Sequence, residues 1–454
     1  MMSNILRTPP MARAALIVAL MTIFVGISQV LLELVVASKF GTHPDLDAFY
    51  LAYILPAALV NVLAGGAILG AFSPAYLRVL TDFGDAAARE LVGQAFLLLF
   101  AWLLIVSVVL VMCYPFLWGL GGPRYAPHAK ALAVELFQML LPFLILNGLS
   151  SLLCATLAAR RRFALSSIAP ALVPTIALVF LLAAKTTLGI SALVIGLVLG
   201  ASLQCAVLLV VLIRERLIKF SKTVVDSAQI RAVFGHYAWM LGAAALLAGI
   251  SIVDQAMAGS LEAGSVAKLN FGTKLITMGL AFLTVIIGNA ALPYFSRMVL
   301  EKDWTVLWWN LRKPLACIFL LGVLVALGLF FFSEPVVRVV YERGAFTHSD
   351  SMAVARVQSY NALYIPFYLV GVVGWRMLNA LQRNDILIGV AGSTFLLNVA
   401  SNLLLMPYLG IEGIVFGKTF VYGFWAVVIL FFLRRKLMDN QSVGNMSNRA
   451  ALAK

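Results

Sequence analysis

Long apolar runs separated by short polar loops follow one another along most of this sequence. We distinguish twelve runs, each close to the roughly 20 residues of helix that cross the hydrocarbon core of a bilayer. Numbered spans 1 to 12, they are Ala14–Val36, Ala48–Phe72, Leu91–Tyr114, Leu132–Ala158, Phe163–Ala184, Leu188–Ile213, Val233–Ala258, Phe271–Leu292, Leu315–Phe332, Val357–Leu381, Ile386–Leu405 and Ile411–Leu433. The pattern predicts an all-α polytopic membrane protein with about 12 transmembrane helices.

Composition excludes the soluble classes of protein. Only 11% of the residues are charged, 63% are hydrophobic and the mean hydropathy is +1.01, whereas a soluble domain carries about 25% charged residues. The net charge of +14 does not indicate a nucleic-acid partner, because the basic residues lie in short loops between the spans. The four cysteines lie inside apolar runs, so we predict no disulfide framework and no metal site.

The loop charges predict the orientation of the chain. Of the 33 lysines and arginines, 22 fall in segments that are cytoplasmic if the N-terminus is inside, eight fall in the opposite segments, and three lie within spans: Lys274, Arg376 and Lys418. Because cytoplasmic loops carry the excess of Lys and Arg, we expect both termini in the cytoplasm. No loop is long enough to fold as a separate domain, so any activity must arise in or between the helices.

The two halves of the sequence share features at an offset near 220 residues. Pro74–Arg78 aligns with Pro293–Arg297 at the end of the second span of each half, and Glu33 aligns with Asp254. The repeat predicts two six-helix bundles, 1–220 and 221–437, followed by a polar cytoplasmic tail, 438–454. Parallel repeats are typical of transporters that move one half against the other around a cavity. A duplicated bundle without transport is the alternative.

Charged residues inside the spans are the first candidate functional residues. A charge at the bilayer centre costs at least about 2.5–3.5 kcal/mol on insertion scales, so it needs a partner or a wet cavity. Lys274 lies about two turns into span 8. It either faces a cavity, where it holds an anionic headgroup, or it is neutralised by an acid such as Asp254 or Glu33. Glu33 on span 1 is likewise either a cavity acid or half of an ion pair.

Four further polar residues form a second candidate cluster. Asp254 lies on span 7, Asn398 and Asn402 lie on span 11, and Lys418 lies on span 12. The two asparagines are one turn apart and share a helix face. The cluster is either an ion or proton site, or a set of interhelical hydrogen bonds around a neutralised pair of Asp254 and Lys418.

Several segments resemble a known family of transporters. They are Phe40-Gly41 through Asp47-Ala48-Phe49-Tyr50, Leu55-Pro56, Ala71–Leu77, Gly264-Ser265-Val266 through Lys274-Leu275 to Leu292-Pro293, and Tyr341-Glu342-Arg343-Gly344-Ala345-Phe346-Thr347. Together they are similar to the MurJ/MviN lipid II flippase family, within the multidrug/oligosaccharidyl-lipid/polysaccharide exporter superfamily. The likeness extends over nearly all of the chain, and the first and last segments are its most specific parts.

The resemblance implies a flippase with a cationic headgroup cavity lined by spans 1, 2, 7 and 8. It places Lys274 at a family arginine and Asp47 at the acid after span 1, and Glu33 and Asn61 complete our candidate cavity. The sequence departs from the family pattern where further arginines would lie, near Gly26 or Gln29, Leu32 and Val60. It also ends without the helices 13 and 14 that family flippases carry, so we expect two six-helix bundles alone.

The resemblance also implies a sodium site. In the family this site uses an acid on span 7, two polar residues on span 11, and span 12. The matching positions here are Asp254, Asn398, Asn402, Ile414 through its carbonyl, and Lys418. We hypothesise that the Lys418 ammonium replaces the bound sodium. The sequence does not decide whether transport is driven by protons, by sodium or by the membrane potential. It predicts no cofactor.

The departures from the family pattern shape the predicted function. We predict that the protein, in the bacterial cytoplasmic membrane, translocates a polyprenyl-diphosphate-linked oligosaccharide to the outer leaflet for surface polysaccharide or cell-wall synthesis. Polysaccharide synthesis enzymes would be its partners. The alternatives are a lipid II flippase proper and a multidrug antiporter. We expect no enzyme, because the sequence has neither a large outer loop nor a carboxylate and metal constellation. A non-transporting scaffold is the remaining alternative.

Overall fold

The computed structural model describes residues 10–63, 72–120, 127–184, 188–220, 227–301, 304–380 and 384–452. Within these ranges the regular structure is helical. The helices are α1 Pro10–Phe40, α2 Pro44–Val62, α3 Ser73–Leu120, α4 Pro127–Ala159, α5 Phe163–Ile168, α6 Leu172–Ala183, α7 Ser191–Arg214, α8 Ser227–Ala258, α9 Ser265–Glu301, α10 Trp304–Tyr341, α11 His348–Ala362, α12 Ile365–Ala380, α13 Asn384–Leu409 and α14 Ile411–Leu452. Each of the twelve predicted spans overlaps one or more of these helices.

The helices have the length and composition of membrane spans. In the part of the chain that the structure describes, nine helices are long and apolar enough to cross a bilayer, and Gly242–Ala258 and Ile365–Leu378 are shorter apolar helices. Large apolar side chains on α1 are exposed, among them Leu20, Phe24 and Ile27. Such a surface requires lipid as its solvent. The protein is therefore a polytopic all-α membrane protein, while the count of twelve spans stays a prediction.

Two predicted spans are interrupted helices. Span 5 consists of α5, a 3₁₀ turn at Ala169–Ala171 and α6. Span 10 consists of α11 and α12, which are separated at Leu363 and Tyr364. Pro366 follows this second interruption, and proline has no N–H to continue the hydrogen-bond ladder of a helix.

Two compact units divide the chain. The first comprises 1–248, 262–266 and 343–346, and its apolar core includes Leu103, Leu144, Leu153 and Leu208 from α3, α4 and α7. The first unit thus includes two short segments from the second half of the sequence.

The second unit comprises 249–261, 267–342 and 347–454. One of its apolar clusters joins α12 and α14 through Val373, Met377, Trp425 and Ile429. The predicted division into bundles at residue 220 is a different partition and stays a prediction. The polar tail predicted at 438–454 continues α14 as a helix as far as Leu452.

Candidate functional site

A buried carboxylate in the second unit is held by side chains from two other helices. Asp254 on α8 is 2% exposed, and its Oδ1 accepts hydrogen bonds from Asn398 Nδ2 at 2.9 Å and Asn402 Nδ2 at 2.7 Å. The Lys418 ammonium on α14 lies 3.0 Å from the second carboxylate oxygen, Oδ2. The structure therefore brings together all four residues of the candidate ion site.

Local helix geometry places the two asparagines and the lysine at this carboxylate. Asn398 and Asn402 are four residues apart on α13, so both side chains lie on one face of the helix. α13 ends at Leu409, and Gly410 then takes a φ of +60°, which glycine adopts at little cost. α14 begins at the next residue and packs back along α13. This tight turn brings Lys418 to the depth of the asparagines.

Two glycines one turn apart allow α14 to lie close to α13. A Cβ added at Gly413 would lie 2.6 Å from the Leu405 carbonyl oxygen, and one added at Gly417 would collide with Ser401 Oγ. Small residues at helix crossings permit such close backbone approach in membranes. The approach is what allows the Lys418 side chain to reach Asp254.

Gly413→Ala is expected to destabilise the protein by about 1–3 kcal/mol, because the added methyl overpacks the backbone carbonyl of Leu405, which cannot rotate away. Gly389→Ala on α13 is the control, since an added Cβ there meets nothing within 4 Å. Alanine at that position should be neutral or stabilising, because it is the better helix former. Thermal unfolding of both variants in lipid nanodiscs measures the difference, and equal midpoints would contradict the close packing.

The cluster presents more oxygen atoms than its ion pair uses. Asn398 Oδ1, Asn402 Oδ1 and Ser401 Oγ are buried and have no hydrogen-bond partner among the described residues. The Lys418 ammonium contacts only the Asp254 carboxylate among these oxygen-bearing groups. Buried charges in proteins are paired or coordinate a metal ion. The described residues therefore form a buried ion pair with three unpaired oxygen atoms on the residues that flank it, and a role as an ion site stays a prediction.

Asp47, a candidate for the headgroup cavity, is fully buried in the first turn of α2. Its Oδ2 accepts a hydrogen bond of 2.6 Å from the backbone N–H of Gly264, immediately before α9 begins at Ser265. A carboxylate at this position satisfies an N–H and interacts favourably with the positive end of the helix dipole. Asp47 thereby ties the segment 262–266 to the first unit.

The other cavity candidates lie at different depths of burial. Tyr50 OH donates a hydrogen bond of 3.3 Å to Glu33 Oε2, which joins α1 to α2 within the first unit. Asn61 is exposed near the end of α2. Glu33 thus has a hydrogen-bond partner in the structure, whereas the Asn61 side chain is exposed.

Lys274 is half-buried on α9 and belongs to the second unit. Asp254, one of the two acids considered as its neutralising partner, is instead paired with Lys418. Near Lys274, α9 packs closely on α11, since a Cβ added at Gly272 would lie 2.6 Å from Val357 Cγ1. The predicted cavity that combines Lys274 with Glu33, Asp47 and Asn61 stays a prediction.

The two most specific segments of the sequence resemblance contact each other in the first unit. The Ala345 N–H donates to the Ser38 carbonyl at 2.7 Å. Gly41 and Gly344 have φ values of +54° and +61°, and an added Cβ on either would collide with backbone, at the Ala345 carbonyl for Gly41 and at the Ser38 carbonyl for Gly344. We call residues 38–41 and 343–346 the glycine clasp. Both glycines are required by backbone conformation and by space.

A family model described as "Lipid II flippase MurJ" matches residues 36–452. The chain belongs to the MurJ family. A "Probable lipid II flippase MurJ" of Synechocystis sp. is 27% identical over 452 residues, covering 94% of this chain and 82% of the relative. The "Lipid II flippase MurJ" of Burkholderia cenocepacia is 27% identical over 434 residues, covering 88% of this chain and 80% of the relative.

Solved structures of two transporters share the fold of this chain. A lipid II flippase MurJ in an inward closed conformation has a TM-score of 0.79 at 19% identity, covering 94% of this chain and 90% of the other. An inward-facing multidrug resistance MATE family transporter has a TM-score of 0.76 at 13% identity, covering 93% and 99%. The predicted family and the predicted transporter fold are therefore confirmed, and the protein belongs to a family of transporters rather than enzymes.

The MurJ match includes every candidate site residue except Glu33. Sequence reasoning missed Ser401 and Gly417, which pack beside the asparagines. Their signal was available in part, because Ser401 lies three residues after Asn398 and directly before Asn402.

A second ionic cluster, in the first unit, was not anticipated. Asp85 accepts hydrogen bonds from Arg89 and Arg160, and Arg160 also donates to Tyr76 OH. This cluster follows a kink in α3 at Gly84, whose φ is +80°. The kink is what brings Asp85 against the end of α4.

Proposed function

We propose that this protein is a lipid II flippase of the bacterial cytoplasmic membrane. The observation that carries the proposal is the family match over residues 36–452. The names of the relatives and the likeness of fold to a lipid II flippase support it. The sequence departures on spans 1 and 2 favoured another lipid-linked oligosaccharide, but the comparisons favour the lipid II alternative.

The chemistry of the substrate explains why such a protein is needed. A diphosphate-sugar headgroup loses its hydration when it enters hydrocarbon, which costs a large free energy. A polyprenyl tail is apolar and partitions into the bilayer core. A flippase needs only to shield the headgroup while the tail stays in the bilayer. A lysine within a span, Lys274, supplies the positive charge that a diphosphate requires.

Depletion of the protein in its native host tests the proposal. Lipid extracts are analysed for polyprenyl-linked intermediates, and a membrane-impermeant glycan label reports which of them reach the outer leaflet. We expect lipid II to accumulate in the inner leaflet. If another polyprenyl-diphosphate glycan accumulates while lipid II is translocated normally, the substrate is a surface polysaccharide precursor. If neither accumulates and a cationic dye is exported by the purified protein, the protein is an antiporter.

Lys274→Ala is expected to reduce lipid II translocation by about tenfold or more, because hydrogen bonds to charged groups contribute about 1.5–3 kcal/mol. Lys268→Ala is a matched control, since Lys268 lies on the same helix α9 nearer its start. Translocation is measured in proteoliposomes with the impermeant label, and insertion is compared by the yield of folded protein. If translocation falls equally in both variants, or in neither, Lys274 does not bind the headgroup.

We infer in addition that the Lys418 ammonium acts as the resident cation of the Asp254 site. The 3.0 Å contact with the Asp254 carboxylate, which also accepts hydrogen bonds from Asn398 and Asn402, supports this role. Translocation by the wild-type protein is then expected to proceed equally in sodium and choline media. A clear requirement for sodium in the wild-type protein would contradict the inference.

A further inference from the structure

Two buried carboxamide side chains in the second unit are not part of the Asp254 cluster and have no hydrogen-bond partner among the described residues. Gln358 is 0% exposed and Asn361 is 1% exposed, both on α11. None of their four side-chain nitrogen and oxygen atoms has a hydrogen-bond partner among the described residues. An unsatisfied buried polar group costs about 1–3 kcal/mol, and most buried polar atoms in proteins are hydrogen-bonded to protein or to ordered water.

The carboxamides lie at the interruption of a transmembrane helix. α11 ends at Ala362 and α12 begins at Ile365. The Ala362 carbonyl cannot accept from the residue four positions on, because that residue is Pro366. Gln358 and Asn361 are three residues apart, so they share the helix face that leads to this interruption. The unpaired carboxamides thus lie beside a point where the regular hydrogen-bond pattern of the helix is broken.

The register of α11 against α14 gives the depth of the carboxamides. Arg356 lies 3.8 Å from Glu412, and the rings of Tyr360 and Phe416 are 6.0 Å apart. The two helices therefore run in the same direction with equal spacing, which places Asn361 level with Gly417. The depth is that of Lys418, inside the predicted span 12.

The carboxamides make no hydrogen bond to the Asp254 site, because all four of their polar atoms are without a partner among the described residues. Phe416 of α14 meets α11 at Tyr360. Tyr422, one turn after Lys418 on the same side of α14, stacks on Tyr364 just after the interruption, with ring centroids 4.9 Å apart. On the other flank, Val357 of α11 packs on Gly272 of α9. Gln358 and Asn361 are therefore unpaired polar groups that the Asp254 ion pair does not satisfy.

We propose that Gln358 and Asn361 bind ordered water at the interruption between α11 and α12. The four unpaired atoms are two N–H₂ donors and two carbonyl acceptors, and water can satisfy both kinds. A bare cation would use only the oxygens and leave the nitrogens unpaired. A buried water needs two to four polar partners, and the two side chains supply them. The water satisfies both carboxamides beside the interruption.

X-ray hydroxyl-radical footprinting of the full-length protein in nanodiscs tests the proposal, since radicals form where water is bound. Tyr364 follows the interruption and is 5% exposed, while Tyr341 in the same unit is 1% exposed and serves as the internal control. We expect Tyr364 to be modified severalfold faster than Tyr341. In the double variant Gln358→Leu with Asn361→Leu, this excess is expected to disappear while the Tyr341 rate is unchanged.

Two results would overturn the proposal. The first is a Tyr364 rate equal to that of Tyr341 in the wild-type protein, or unchanged in the double variant. The second is a thermal midpoint that rises with sodium or potassium over choline in the wild-type protein but not in the variant, which would make the site a cation site. If the double variant does not fold, Gln358→Met alone gives the same comparison, because methionine retains the length of the side chain.

Discussion

Lys418→Ala is expected to destabilise the protein by about 3–5 kcal/mol, because it leaves the buried Asp254 carboxylate without its cation. The carboxylate would keep its two asparagine donors but no positive charge within contact distance. Thermal unfolding in nanodiscs, in choline chloride, measures the loss. Sodium should recover part of it in the variant, since the asparagine and serine oxygens around Asp254 can then bind the ion.

The double variant Asp254→Asn with Lys418→Ala is the control for this result. It removes the charge together with its partner, so most of the destabilisation should be recovered, as expected for residues coupled in one pair. Sodium should then have no effect on the thermal midpoint. If Lys418→Ala alone is as stable as the wild-type protein and does not respond to sodium, the ammonium is not the cation of this site.

Gly344→Ala is expected to destabilise the protein by about 2–5 kcal/mol through the glycine clasp. A left-handed conformation costs a residue with a Cβ about 1–2 kcal/mol. The overpacking of the added methyl against the Ser38 carbonyl contributes about 1–3 kcal/mol more. The collision partner is backbone and cannot rotate away. Thermal unfolding in nanodiscs measures the effect.

Gly189→Ala separates the two contributions to the clasp. Gly189 also has a positive φ, +50°, but an added Cβ there meets nothing within 4 Å. Its destabilisation should therefore be the conformational part alone, about 1–2 kcal/mol. If Gly344→Ala destabilises the protein no more than Gly189→Ala does, the backbone contact between the two segments of the clasp does not contribute to stability.

The candidate ion site shows where reasoning from sequence succeeds and where it stops. The helical repeat places Asn398 and Asn402 on one face, and the cost of a buried charge requires a partner for Lys418. Asp254 was named as that partner in one of the two interpretations of the cluster. The pairing itself depends on the turn at Gly410 and on the close approach at Gly413 and Gly417, which only the packed helices reveal.

The headgroup candidates were less predictable. Asp47 was placed in the cavity by resemblance, yet the structure buries it against the Gly264 N–H. That contact joins residues more than 200 positions apart, so no local sequence pattern predicts it. The interruption between α11 and α12 was also missed, because spans 10 and 5 both appear in the sequence as single apolar runs.

Apolar run length, loop charge and motif similarity can be read along the chain, so they are enough to predict that it is helical, lies in a membrane and belongs to the MurJ family. Which polar groups meet depends on how the helices pack: the Asp254 and Lys418 side chains, the Asp47 carboxylate with the Gly264 N–H, and the backbone groups of the glycine clasp. In lipid, apolar surface does not select one helix partner over another. Small residues and polar contacts make that selection, and their effect appears only when the helices are packed.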